Sequence, residues 1–145
     1  MKLAILAVGH KLPAWVAAGC AEYVKRMPRE LPLSVVEIKP EPRGTKSREQ
    51  LLSAEKTRLQ AALQGFPRTV VLDERGMDLT TLQLAQRLET WMREGGDTAF
   101  VIGGADGIDD EIKTRADATL RLSSLTLPHA MARLVLCEQL YRAMS

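Results

Sequence analysis

His129, Arg133, Cys137 and Tyr141 follow one another at four-residue steps near the end of the chain. On an α-helix that spacing makes one slanted row, so all four side chains can face a shared cleft. An imidazole that titrates near neutral pH suits proton removal. A guanidinium keeps its charge at any working pH and favours negative charge developing beside it. His129 and Arg133 are therefore read as functional. Cys137, a lone thiol in an apolar helix, is read as core packing. Tyr141 fits a cleft role or amphipathic packing with its hydroxyl at the surface equally well.

Three loops offer walls for such a cleft. The one leading into the row, Ser123-Ser124-Leu125-Thr126-Leu127-Pro128, sets large apolar residues among small hydroxyls. It could wrap an apolar or adenine-like group, with main-chain N–H and C=O groups reading the ring edge, or it could simply be buried against the core. Gly103-Gly104-Ala105-Asp106-Gly107 lacks the Lys-Ser or Lys-Thr of a P-loop and does not fit the dinucleotide fingerprint, which argues against polyphosphate binding. It serves equally as a tight turn or as a ligand site. The third loop is Leu72-Asp73-Glu74-Arg75-Gly76.

The elements that hold these loops follow from hydrophobic period. Short apolar runs predict strands over Lys2–Val8, Leu33–Ile38, Thr69–Leu72, Ala99–Ile102 and Ala118–Leu122. Between them, helices are predicted over Pro13–Arg26, Ser47–Gln64, Thr80–Glu94, Asp109–Arg115 and Pro128–Ser145, opening on capping or first-turn residues. This alternation predicts an α/β protein with a largely parallel sheet and helices on both faces, whose ligands collect beyond the carboxyl ends of the strands. Lys39–Lys46, rich in proline and charge, is an irregular loop. The last helix is apolar around more of its girth than one core-facing stripe needs, which implies a second apolar partner.

With 145 residues and 46% hydrophobic content, one domain over 1–145 is expected. The apolar run Leu3–Val8, closed by Gly9-His10-Lys11, is far too short to span a membrane. Two cysteines and no signal peptide point to the cytoplasm. No metal-ligand cluster is visible. A net charge of +2 gives no strong global field, so contact with nucleic acid must come from local cations, for which Lys11, Arg43, Lys46, Arg48 and Arg142 are the candidates.

Taken together, Lys2 to Gly9, Leu72-Asp73, Val101 to Gly107, Leu122 to His129 and Glu138-Gln139-Leu140-Tyr141-Arg142-Ala143 resemble the ribosomal RNA large subunit methyltransferase H family of the SPOUT superfamily, in order over essentially the whole chain. The resemblance implies a SPOUT-type α/β knot, in which the C-terminal segment threads through a loop. It implies a homodimer packed through the last helices. The activity implied is methyl transfer from S-adenosyl-L-methionine to N3 of a pseudouridine in 23S rRNA of the assembled ribosome. By the same carry-over, the cofactor pocket would be formed by Leu72, Gly103, Leu122, Ser123, Ser124, Leu125, Thr126 and Leu127. His129 then becomes the candidate base for the weakly acidic N3 proton and Arg133 the candidate cation beside the deprotonated ring. The family usually continues past this helix into a short tail bearing His, Pro, Tyr and basic residues, which these 145 residues do not contain. A second expectation is therefore a ribosome-associated RNA-binding protein of the same fold without turnover.

Overall fold

Leu3–Val8 is six apolar residues in a row, and a strand of that kind is stable only when both faces are covered. In the computed structural model, which describes residues 1–9 and 11–145, these residues form β1, buried along its whole length. His10, read above as part of the turn closing that strand, lies outside the described residues.

The elements run β1, α1 (Ala14–Arg26), β2 (Leu33–Ile38), α2 (Arg48–Leu63), β3 (Arg68–Asp78), α3 (Thr81–Glu94), β4 (Thr98–Ile102), α4 (Asp110–Arg115), β5 (Ala118–Arg121) and α5 (His129–Ala143). Every strand pair is parallel, in the order β2-β1-β4-β3-β5. Alternation along β1 sorts the core into two layers. Leu3, Ile5 and Ala7 pack with Val16 and Cys20 of α1, Leu84, Leu88 and Trp91 of α3, and Leu136, Cys137 and Leu140 of α5. Ala4, Leu6 and Val8 pack on the opposite face with Leu59 of α2 and Ile112 of α4. Each fully covered side chain of this size contributes roughly 1.5–3 kcal/mol.

Sequence reading placed the helix starts within a residue. Ser47 and Thr80 each close a capping box, with Gln50 and Gln83 respectively, and Asp109 accepts from the Glu111 N–H. One strand end differs. Leu72–Gly76 was expected to be a loop, but β3 runs on to Asp78: both Leu72 and Met77 pair with Leu120 of β5, and the residues between them shift the register. Gly76 makes this possible. A Cβ there would lie 2.7 Å from main-chain atoms of Thr119 and Leu120, closer than any side chain tolerates. α5 packs against both α1 and α3, while most of its side chains remain only half-buried. Among the described residues no helix is long and apolar enough to cross a membrane.

Candidate functional site

α1 and α4 pack on opposite faces of the sheet, so the carboxyl ends of the adjacent strands β1 and β4 are followed by chain that parts to the two sides. Such a switch point opens a crevice. A cleft of about 1130 Å³ lies there, floored by Val8 and Gly9 after β1 and by Ile102 and Gly103 after β4. The irregular loop from Lys39 to Arg43 and the face of α2 carrying Arg48, Leu51 and Glu55 close one side. A second cavity of about 500 Å³ adjoins it and is lined by Arg121 and the loop Leu122–Leu127. The two share one wall: Leu72, Asp73, Glu74, Thr126, Leu127 and Ala132. The smaller volume is of the size that small-molecule sites have, and the larger lies just above that range.

All eight residues assigned by resemblance to the cofactor pocket line one or both cavities. Leu72, Thr126 and Leu127 sit in the shared wall; Leu122, Ser123, Ser124 and Leu125 belong to the smaller cavity, and Gly103 to the larger. The Leu125 side chain is 75% exposed, so burial against the core does not account for it. The Ser123 hydroxyl accepts the Leu125 N–H at 2.9 Å and fixes the bend of the loop. Gly103 is needed for the turn itself, because a Cβ there would meet the Gly107 carbonyl oxygen and Ile108 at 2.6 Å. Gly107, with φ of +88°, closes that turn by donating to the Gly104 carbonyl at 3.1 Å. The glycine loop is thus both a tight turn and a cleft wall.

The row on α5 divides. His129, half-buried, lines the larger cleft. Burial, and after it the Arg133 charge, lowers its pKa below the ordinary imidazole value, tempered by the main chain of Gly103 and Val8. Its Nε2 is buried without a hydrogen-bond partner among the described residues. Arg133 is 0% exposed, lines neither cavity, and meets Glu37 of β2 at 3.3 Å. Among the described residues Arg133 thus lies behind the cleft wall, its charge felt at the cleft through His129. Both side chains pack on Gly9, where a Cβ would lie 2.8 Å from His129 Cε1 and 2.9 Å from Arg133 Nη2. Cys137 is buried core beside Cys20, and burial pushes its thiol well above the usual value. Tyr141 packs against Tyr23 with ring centroids 5.7 Å apart, and Arg26 lies over both rings.

Among the proposed phosphate contacts, four cations are held internally. Arg43 grips the Asp106 carboxylate at 2.6 and 2.8 Å, Lys46 pairs with Glu41, Arg48 donates to the Asp106 carbonyl, and Arg142 pairs with Glu138. Lys11 is exposed. Sequence reasoning missed Gly9, Glu37 and Glu55. For Glu55 a signal existed, because Arg48, Leu51 and Glu55 fall at helical spacing on one face of α2. Among the described residues, no group of three or more His, Cys, Asp or Glu side chains is placed to hold a metal ion.

Known proteins fit this geometry. The chain is 70% identical over 145 residues to a ribosomal RNA large subunit methyltransferase H of Dechloromonas aromatica (strain RCB), covering all of this chain and 93% of that relative. It is 60% identical over 146 aligned positions to the protein of the same name from Burkholderia ambifaria (strain MC40-6), covering all of this chain and 94% of that one. Its fold is similar to that of a methylase family protein from Neisseria gonorrhoeae, with a TM-score of 0.59, 18% identity, and coverage of 97% of this chain and 81% of that one. A methylase family protein from Haemophilus influenzae Rd KW20 gives a TM-score of 0.57 at 15% identity, over 98% of this chain and 65% of that one. The family model described as "Predicted SPOUT methyltransferase" matches residues 1–145, from the first strand to the end of the terminal helix. The chain belongs to the SPOUT methyltransferase family.

Proposed function

We propose that this protein is a cytoplasmic methyltransferase that uses S-adenosyl-L-methionine to methylate N3 of a pseudouridine in 23S rRNA of the assembled ribosome, acting as a homodimer through α5. The observation that carries this reading is the pair of cavities sharing one wall, with the half-buried imidazole of His129 lining the larger one. Support for the substrate comes from the relatives, which are named for methylation of large-subunit ribosomal RNA.

The cofactor fits by size and by chemistry. The smaller cavity has room for an adenosyl group, with Leu122, Leu125 and Leu127 to cover its faces and the loop main chain to read its edge. S-adenosyl-L-methionine, when bound, supplies a methyl group on a sulfonium. What remains for the protein is to hold two ligands in line and to ease removal of the N3 proton. His129 suits proton acceptance because burial and Arg133 keep its imidazole neutral at neutral pH. Arg133, locked by Glu37, tunes and orients His129. Exposed Lys11 is available to rRNA phosphate, and Arg43, Lys46, Arg48 and Arg142 become so when they exchange an internal partner for a phosphate. The family knot, with the Leu122–Pro128 segment threaded through a loop, is part of the same proposal. Its support is the match of the whole chain to the family.

The test is a labelled-methyl transfer assay on intact ribosomes, free subunits and naked RNA. Incorporation at a pseudouridine N3, greatest on intact ribosomes, is expected. Binding of the cofactor without incorporation on any substrate would favour a ribosome-associated RNA-binding protein of the same fold.

A further inference from the structure

The loop Lys39–Lys46 is fastened firmly at its root and lightly at its tip. At the root, Arg58 of α2 donates to the Lys39 carbonyl at 2.9 Å and pairs with the Glu41 carboxylate, while the Glu41 N–H donates to Glu55 at 3.0 Å. The tip is a turn closed by the Lys46 N–H on the Arg43 carbonyl at 2.9 Å, with Gly44 at φ +48° and open space around it. Among the described residues, every hydrogen bond from this loop to the glycine turn comes from Arg43, whose Nη2 reaches the two Asp106 carboxylate oxygens at 2.6 and 2.8 Å. Both residues line the larger cleft, so this pair ties two of its walls together. The partners are unequal. The Asp106 side chain is 19% exposed, and its main chain is held by Arg48, which donates to the Asp106 carbonyl at 2.9 Å. The Arg43 side chain is 61% exposed and holds the carboxylate through one nitrogen, leaving the forked edge of the guanidinium without a hydrogen bond among the described residues. That edge matches a phosphate better than the end-on contact it now makes. Lys39, Lys46 and Arg48 are exposed around the same tip, so a chain of phosphates would meet several cations at once.

We infer that Asp106 is an internal stand-in for an rRNA phosphate: it holds Arg43 in the free protein and yields it to the backbone of the docking RNA. This rests on the proposed function, since the displacing anion belongs to that substrate. Arg43 is the partner that leaves, because Asp106 is fixed in the glycine turn while the loop tip around Gly44 has room to swing. Its departure unties the tip from the turn, so the larger cleft is strapped in the free protein and released where RNA is present. The contact is autoinhibitory, and its strength is that of an exposed ion pair, up to about fivefold in a binding constant. A lone phosphate meets Arg43 without the help of the neighbouring cations, whereas a polynucleotide engages them together and tips the exchange.

A double-mutant cycle on binding tests the exchange without any turnover. Fluorescently labelled wild-type protein, Asp106→Asn, Arg43→Gln and the double variant are titrated with intact ribosomes at one fixed salt concentration. Asp106→Asn leaves the main-chain carbonyl to Arg48 and frees Arg43, so it is expected to bind about fivefold tighter than wild type. Arg43→Gln is expected to bind several-fold weaker, and the double variant to bind as Arg43→Gln does, the gain from Asp106→Asn having vanished. A gain that survives in the Arg43→Gln background is general relief of repulsion between Asp106 and RNA, and overturns the inference, as does Asp106→Asn binding no tighter than wild type. Hydrogen exchange in the free proteins checks the strap itself. Faster exchange confined to residues 43–46 is expected in both single variants; unchanged exchange there, or faster exchange spread through α2 and α4, would show that the pair does not act as a local tie. If wild-type protein binds ribosomes and Asp106→Asn brings no gain, this inference alone fails; if wild-type protein does not bind ribosomes, the rRNA reading fails with it.

Discussion

Replacing Gly9 by Ala adds one methyl group at the place where β1 meets the α5 row. That methyl would stand 2.8 Å from His129 Cε1, 2.9 Å from Arg133 Nη2 and 3.2 Å from His129 Nδ1. Ordinary carbon contacts are about 3.5–4.0 Å, so two side chains must retreat by roughly half an ångström or more. Arg133 has no free space to do so, being wholly buried with its guanidinium on Glu37, and His129 can give way only toward the cleft it lines, which displaces the imidazole. Overpacking of this kind costs about 1–3 kcal/mol. For a chain of this size that lowers Tm by roughly 3–10 °C. Because the displaced groups are the imidazole at the cleft and the cation tuning it, methyl incorporation should fall further than stability alone requires. Thermal unfolding by circular dichroism, and single-turnover methyl transfer to ribosomes well below the variant's Tm, measure the two effects. A variant with Tm within about 1 °C of the parent and full incorporation would refute the packing argument.

His129 is held below the usual imidazole pKa chiefly by burial, so it is neutral in the folded chain at pH values where the unfolded chain carries a proton. Its contribution to stability is complete above about pH 6.5 and is lost as pH falls from there through the folded value. His129→Gln should therefore flatten the acid side of a denaturant-midpoint profile, and parallel profiles would count against it. Arg133→Ala should lower turnover on the order of tenfold while changing cofactor affinity much less, and unchanged turnover on intact ribosomes would remove Arg133 from the mechanism. Gly76→Ala would set a methyl 2.7 Å from the β5 main chain. A loss of about 3 kcal/mol or more in urea unfolding is expected, and a wild-type midpoint would show that β3 and β5 do not approach so closely.

Much of the scaffold could be read from the chain because each signal was local. Ser47 with Gln50 and Thr80 with Gln83 announce helix starts by a contact three residues long, and the apolar run of β1 needs no partner to be recognised. What escaped depends on contacts distant in sequence. Asp73-Glu74-Arg75-Gly76 has turn composition, and only the return of Met77 to Leu120 makes it part of a strand. Arg133 sits in a row whose spacing suits a cleft, but burial on Glu37, nearly a hundred positions earlier, takes it out of the cleft wall. Gly9 looks like an ordinary strand end until α5 is laid across it. Seven of the eight residues carried over from the family resemblance line the cavities because they lie in loops that follow parallel strands and so share one end of the sheet; Leu72 joins them from within β3, at its register shift.

The position of β5 bears on how the chain folds as it is made. Four strands are complete once Ile102 has emerged, and they can pair in their final order before β5 exists. Until then the outer margin of β3 is an unsatisfied row of peptide groups, open to mispairing with another nascent chain. The segment after Ile102 both seals that margin with β5 and lays α5 across α1 and α3, completing the apolar layer they share. The site is thus assembled only after β5 and α5 have been made, since most of the smaller cavity's lining and the imidazole both belong to that segment.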